Sequence, residues 1–320
     1  MAPEPLASPH SQNLSPDLPP IDPQVWDTEA PSIARHHSPV QVFLKNPSQV
    51  ITQTQYTLTT ESRQGLKPII SRLLKAGLLR PICSPHNTPI LAVKKGPHSW
   101  RLLQDLRKIN EAIILVYPVV TNPYTLLSHI PPDRLYFTVL DLKDAFFTIP
   151  LHHSSQPLFA FTWTDPDTYQ SQQLTWTILP QGFRDSCHFF GKALQRDLQT
   201  LDLGSTILLQ YVDDLLLCSS SHHNCLVHTA IVLNALGNWG YRVSLFKAQI
   251  ASTTVNYMGL LLIPKSKIIT AQRLQALTQT PRPQTKRELL SLLDLLTSSE
   301  YGSQILPSMQ NLSTKLLMET

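Results

Sequence analysis

Two adjacent aspartates stand between two apolar runs: Ile207-Leu208-Leu209-Gln210-Tyr211 and Leu215-Leu216-Leu217-Cys218 are separated only by Val212-Asp213-Asp214. Such runs around a tight polar break predict a β-hairpin buried on at least one face. Two carboxylates held together at the edge of an apolar sheet repel each other, and burial raises their cost. A turn that only needs polar residues is made more cheaply with Asn-Gly or Asp-Gly. Leu135–Leu142 reads as another apolar strand, ending on Asp141. Laid beside the hairpin, it brings a third carboxylate to the pair. Three acids so placed are stable when they share divalent cations, and hard oxygen ligands select Mg²⁺ or Mn²⁺. Two such ions ~4 Å apart form a clamp for in-line phosphoryl transfer. The same residues also fit a solvated turn, and on spacing alone both readings stand.

Composition narrows the class. The chain has 320 residues, 42% hydrophobic and 15% charged, with a net charge of +4, which excludes a wholly disordered polymer. Twenty-seven prolines against ten glycines exclude collagen-like and glycine-linker chains. No apolar run reaches the ~18 residues that span a bilayer, and the start Met1-Ala2-Pro3-Glu4-Pro5 is unlike a signal peptide. A soluble, cytoplasmic chain without membrane contact is expected. Cys83, Cys187, Cys218 and Cys225 form no C-x-x-C pair, so no disulfide framework or zinc knuckle is expected. His222, His223 and Cys225 are metal-like residue types without a second half, and read as an exposed loop after a strand.

Charge is distributed unevenly. Residues 1–50 hold ten of the prolines and predict a largely extended or disordered leader, with anchors at Val25-Trp26 and Val42-Phe43-Leu44. Leu66, Ile69, Ile70, Leu73 and Leu74 have helical spacing with a stop at Gly77, and Pro68 is tolerable there only in the first turn or as a kink. From Lys67 to Lys108 nine basic residues face one acid, and Ile90–Lys95 with Trp100–Leu103 predicts a hairpin carrying Lys95 and Arg101. That imbalance suits a polyanion. Between Asp133 and Asp214 the bias reverses, with ten Asp and no Glu against five basic residues. Ser186–Leu198 and Cys225–Trp239 predict helices, Tyr241–Phe246 and Val255–Ile263 strands. Thr285-Lys286-Arg287-Glu288 has capping-box spacing before a leucine-rich helix. Short strands, some in hairpins, mixed with helices predict an α+β fold.

Several stretches occur together in order. Gln104-Asp105-Leu106-Arg107, Val139-Leu140-Asp141-Leu142-Lys143-Asp144-Ala145-Phe146-Phe147, Leu179-Pro180-Gln181-Gly182-Phe183 and Tyr211-Val212-Asp213-Asp214 are joined by Gly65-Leu66-Lys67-Pro68, Asn122-Pro123-Tyr124, Gln156-Pro157-Leu158-Phe159-Ala160-Phe161 and Gln173-Leu174-Thr175-Trp176. From about residue 20 to about 295 the chain resembles the reverse transcriptase region of gammaretrovirus-like Pol polyproteins, those of class I endogenous retroviruses in particular. The resemblance implies a right-hand polymerase fold: fingers over 51–132, palm over 133–265 with some fingers insertion, and a partial, divergent thumb over 266–320. It implies two Mg²⁺ ions (or Mn²⁺) at Asp141, Asp213 and Asp214, with Lys95, Arg101, Asp144, Ala145, Phe146 and Gln181 at a dNTP. Phe146 would be the ring that rejects a 2′-hydroxyl. Tyr211, Gly182, Tyr257, Met258 and Gly259 would meet an RNA or DNA template-primer. Nothing in the sequence gives an oligomeric state.

The chain also departs from that family. Asp185-Ser186-Cys187 replaces the usual Asn-Ser-Pro, with Asp185 expected as an acceptable helix cap. Thr297-Ser298-Ser299-Glu300-Tyr301-Gly302 replaces the usual thumb pattern, and no connection, ribonuclease H or integrase sequence is expected before Thr320. A weakened thumb means fewer phosphate contacts and looser duplex binding. The expected activity is therefore RNA-directed DNA polymerisation. The alternatives are an idle nucleic-acid- or partner-binding remnant and, less well supported, a two-metal nuclease, for which the Asp-rich stretch lacks a Glu.

Overall fold

The computed structural model describes residues 16–26, 33–96, 99–116 and 123–270, together with Gln275 and Thr285. In chain order its elements are α1 (Thr60–Lys75), β1 (Leu79–Pro81), β2 (Ile90–Gly96), β3 (Ser99–Gln104), α2 (Arg107–Ala112), α3 (Pro123–Ser128), β4 (Tyr136–Asp141), β5 (Phe161–Thr164), β6 (Ser171–Trp176), α4 (Ser186–Leu198), β7 (Ile207–Tyr211), β8 (Asp214–Ser219), α5 (His222–Trp239), β9 (Gln249–Ser252), β10 (Val255–Tyr257), β11 (Leu260–Ile263) and β12 (Ser266–Ile269). They form an antiparallel sheet in the order β7-β8-β4-β9, three-stranded sheets β1-β6-β5 and β10-β11-β12, and the hairpin β2-β3. The fold is α+β.

The leucine run of β8 explains how the layers stack. Leu215 and Leu217 enter the main core with Phe190 and Leu194 of α4 and Leu233 and Leu236 of α5. Leu216 and Cys218 turn to the opposite face, covered by Val255, Tyr257, Leu260 and Leu262 of β10 and β11. Successive side chains of a strand point to opposite faces, so an unbroken apolar run marks a strand dry on both sides. Burial pushes the Cys218 thiol up to about 12. Helix α5 is capped by Ser221, whose hydroxyl accepts from Asn224 N, and is stopped by Gly240 at φ 89°, a left-handed turn that suits glycine.

The basic hairpin leans on α1 with one face only. Trp100 lies over Gly65, where a Cβ would stand 2.3 Å from Trp100 Cδ1. Lys94 pairs with Trp100 across the strands and Val93 with Arg101. By strand alternation the residues near Val93 and Arg101 face away from α1, and Lys95 and Arg101 are both exposed.

The described parts of the proline-rich segment are strapped to the body. Val243 N donates to Val25 O and Ala34 N to Thr148 O, both at 2.8 Å, and Val25 and Ala34 are fully buried.

Pro68 is the ninth of sixteen residues in α1, past the first turn; it lies on the exposed face, while Leu66, Ile70 and Leu73 on the buried face hold the helix together. Three local expectations need correction. Tyr241–Phe246 is no strand: Val243 makes isolated bridges to Trp26 and Leu142, and a turn follows it. Val255–Ile263 is two strands, because Met258 (φ 53°) and Gly259 (φ 78°) reverse the chain in the manner of a two-residue hairpin turn. His222 and His223 open α5 instead of forming a loop. The leucine-rich helix expected after Thr285 and the divergent 297–302 stretch lie outside the described residues.

Candidate active site

Strand pairing brings the aspartates together. Asp141 at the end of β4 is the register partner of Asp214 at the start of β8, and Tyr211 pairs with Asp214 across the β7–β8 hairpin. Leu142 N donates to Asp213 O at 2.9 Å, tying the β4 end to the turn itself. Val212 and Asp213 form a two-residue turn with Val212 at φ 53°. A β-branched residue in this left-handed region is a genuine outlier, and such strain costs ~1–3 kcal/mol. Gln210 Nε2 holds the turn down, donating to Val212 O at 3.3 Å and Gly191 O of α4 at 3.0 Å.

Electrostatics mark this corner as short of positive charge. Burial and the charges of Asp213 and Asp141 push the Asp214 carboxyl up to about 6. Asp213 is also raised, first by burial and then by Asp141. Lys247 Nζ donates to Asp141 Oδ1 at 3.1 Å and Oδ2 at 3.0 Å, and this pairing raises the lysine in turn. The donor set is all oxygen and under-compensated, which fits hard divalent cations. The three carboxylates are neighbours without being drawn into one cage. Among the described residues, the trio of ligand atoms gathered within 4.8 Å is a different one, His36, His37 and Asp197.

The other expected residues are each fixed by contacts of their own. Asp144 (φ 48°) turns the backbone after β4, and Ala145–Thr148 is a short 3-10 turn that sets Phe146 edge-on to Phe190, centroids 5.8 Å apart. Gln181 and Gly182 (φ 90°) are pinned to α2: Asn110 Nδ2 donates to Gly182 O at 3.0 Å, and Arg184 N donates to Asn110 Oδ1 at 2.9 Å. Gln104 is buried, donating to Thr88 Oγ1 and Phe159 O while accepting from Trp176 Nε1. Asp105 is buried beneath the exposed Arg107 and Tyr56, and the Arg107 guanidinium holds its carboxyl well below the usual range. Lys95 and Arg101 sit on the separate β2–β3 hairpin and make no ion pair among the described residues. Tyr257 is turned into the core under β8, 2% exposed, leaving Met258 and Gly259 as the turn. Asp185 does not cap α4 with its side chain; it is buried and accepts from Val116 N at 3.3 Å.

Lys247 escaped sequence reasoning. It follows a segment misread as a strand and meets Asp141 across 106 positions, a separation at which periodicity carries no signal.

Residues 93–262, just over half of the chain, match the family described as reverse transcriptase (RNA-dependent DNA polymerase). The chain is 45% identical over 275 residues to the Gag-Pol polyprotein of avian reticuloendotheliosis virus and 44% identical over 275 residues to the Pol polyprotein of feline endogenous virus ECE1, each match covering 85% of this chain. It spans 24% and 26% of those relatives, about a quarter of their length. Among solved structures, it is similar to the foamy viral protease-reverse transcriptase dRH in complex with ds DNA (TM-score 0.75, 25% identity, 91% of this chain and 50% of that one). It is also similar to the foamy viral protease-reverse transcriptase in complex with RNA/DNA hybrid (TM-score 0.73, 25% identity, 91% of this chain and 38% of that one). No helix among the described residues is long and apolar enough to cross a membrane.

Proposed function

The chain belongs to the reverse transcriptase family, and from that we propose that it is the polymerase part of a retroviral Pol protein, extending a primer on an RNA or DNA template with dNTPs. The observation that carries this reading is the register of Asp141 against Asp214, with Asp213 at the strained turn beside them. We read 51–132 as fingers, 133–265 as palm and 266–320 as a partial thumb, behind a leader over 1–50.

Divalent cations serve this fold generally. Here Asp141, Asp213 and Asp214 would hold two Mg²⁺, or Mn²⁺ in their place, and such ions stabilise the attacking and leaving oxygens of in-line transfer. The chain's own residues do the rest. The half-buried corner keeps the carboxylates aimed by backbone pairing, so little rearrangement is needed when charge arrives. Lys95 and Arg101, exposed on the outer face of the basic hairpin, offer cations to a triphosphate. The backbone at the left-handed, exposed Asp144 and at Ala145 behind it would meet the same triphosphate. Phe146, fixed edge-on by Phe190, is the wedge against a 2′-hydroxyl. Gln181 and Gly182 on their pinned turn, Tyr211, and the Met258-Gly259 turn built on Tyr257 are the surfaces for template and primer.

Extension of a DNA primer on an RNA template, with dNTPs and Mg²⁺, tests the reading against Asp213→Asn. Incorporation that falls at least ~10²-fold in the variant supports it. Template-primer binding without incorporation would instead favour an idle binding remnant, to which the Lys247–Asp141 pairing gives some support. Release of mononucleotides without dNTP would favour a nuclease.

A further inference from the structure

Away from the aspartate corner, the proline-rich strap crosses the far end of α4. Asp197 lies ten residues beyond Cys187 on that helix, about 15 Å along its axis. His36 Nε2 stands 3.0 Å from both carboxylate oxygens of Asp197, and His37 Nε2 stands 2.9 Å from Oδ2. The imidazole centroids are 3.9 Å apart. Tyr241 completes the group, its hydroxyl donating to Asp197 Oδ2 at 2.7 Å and lying 2.9 Å from His37 Nε2. Side-chain exposure is 9% for Asp197, 14% for His37 and 38% for His36, so the cluster is dry beneath and open above.

We propose that His36, His37 and Asp197 bind a borderline dication of the zinc class, which staples the strap to α4. Two imidazoles and a carboxylate are a zinc-type donor set, and three protein ligands leave a fourth position for water on the open side. Tetrahedral ligand atoms ~2.0–2.1 Å from zinc lie roughly 3.3 Å apart, so the present 2.9–3.0 Å contacts need only a small spreading. The Tyr241 hydroxyl, held in its protonated form by burial, is the outer-shell donor that orients the carboxylate. Arg196 sets a positive charge against the site, which the Asp197 carboxylate offsets. This site is independent of the polymerase reading, since no residue is shared.

The test uses the full chain, stripped with chelator and dialysed against Zn²⁺ in the presence of excess Mg²⁺ so that the aspartate corner does not compete. Metal analysis should find one Zn²⁺ per chain, and Co²⁺ in its place should show the intense visible bands of a tetrahedral site. Outer-shell changes weaken metal sites by ~10–100-fold, so His36→Gln and His37→Gln should each weaken zinc by more than tenfold. Both variants should melt like the wild type in chelator, and His222→Gln should bind as the wild type does. A wild-type chain that takes up no more zinc than a chain carrying both His36→Gln and His37→Gln would overturn the proposal. So would a folded His36→Gln chain with undiminished affinity, leaving only a hydrogen-bonded knot.

Discussion

Lys247 and Asp141 are joined by two hydrogen bonds, at 3.0 and 3.1 Å, from a half-exposed loop to the last residue of a central strand. The lysine is an ion-pair partner for the corner through Asp141. Its side chain is 66% exposed, so the direct contribution to stability is less than ~1 kcal/mol. Lys247→Met should therefore melt close to wild type in chelator while moving the Asp214 titration above about 6. NMR titration of the carboxyl carbons checks this, and an unmoved Asp214 would separate the lysine from the site.

The raised Asp214 carboxyl makes a pH prediction. Its folded value, about 6, lies above the ~4 of an unfolded aspartate, so the folded chain holds the extra proton between those limits. Stability then falls as pH rises through that window and stays low above it. In chelator, Asp214→Asn should raise the melting temperature at about pH 8 and have little effect near pH 4. Mg²⁺ should stabilise the wild type most on the alkaline side. Melting curves at several pH values decide, and an equal gain at both ends would contradict the assignment.

Val212 is held at φ 53° by the turn. Val212→Gly exchanges ~1–3 kcal/mol of strain for ~0.5–1 kcal/mol of backbone entropy. The variant should melt no lower than wild type, yet incorporate more slowly because the turn loosens around Asp213. Denaturant unfolding beside single-nucleotide extension reads both effects. A marked loss of stability would mean that Val212 is not strained.

Gly65 lets Trp100 lie on α1. Gly65→Ala puts a Cβ inside the indole, so the hairpin must lift, carrying Lys95 and Arg101 with it. The expected signature is a lower melting temperature and a several-fold higher KM for dNTP, with partial recovery when Trp100→Leu is added. An unchanged KM would detach that hairpin from nucleotide binding.

Much of this was legible in advance wherever a local pattern set the outcome. The unbroken leucine run of β8, the Asp141 strand end and helix α4 follow from local patterns, and α4 matches its expected bounds, Ser186–Leu198. Contacts between distant segments left no such trace. Lys247 reaches Asp141 across 106 positions, and His37 reaches Asp197 across 160. Tyr241–Phe246 looks like a strand because Tyr241 and Val243 alternate onto one buried face, but Phe246 is exposed and the backbone is used in single bridges to the strap and to Leu142. Pro68 shows tertiary burial overriding a residue's local preference.

The central claim is that the acid paired with Lys247 in this structure also serves the cations of nucleotidyl transfer. Single-turnover extension by the wild type and Asp141→Asn, at fixed salt with and without Mg²⁺, measures it most directly. The account predicts Mg²⁺-dependent incorporation that drops at least ~10²-fold in the variant, with template-primer affinity held within about threefold because the change removes no phosphate contact. An Asp141→Asn chain that extends primers at the wild-type rate would contradict it.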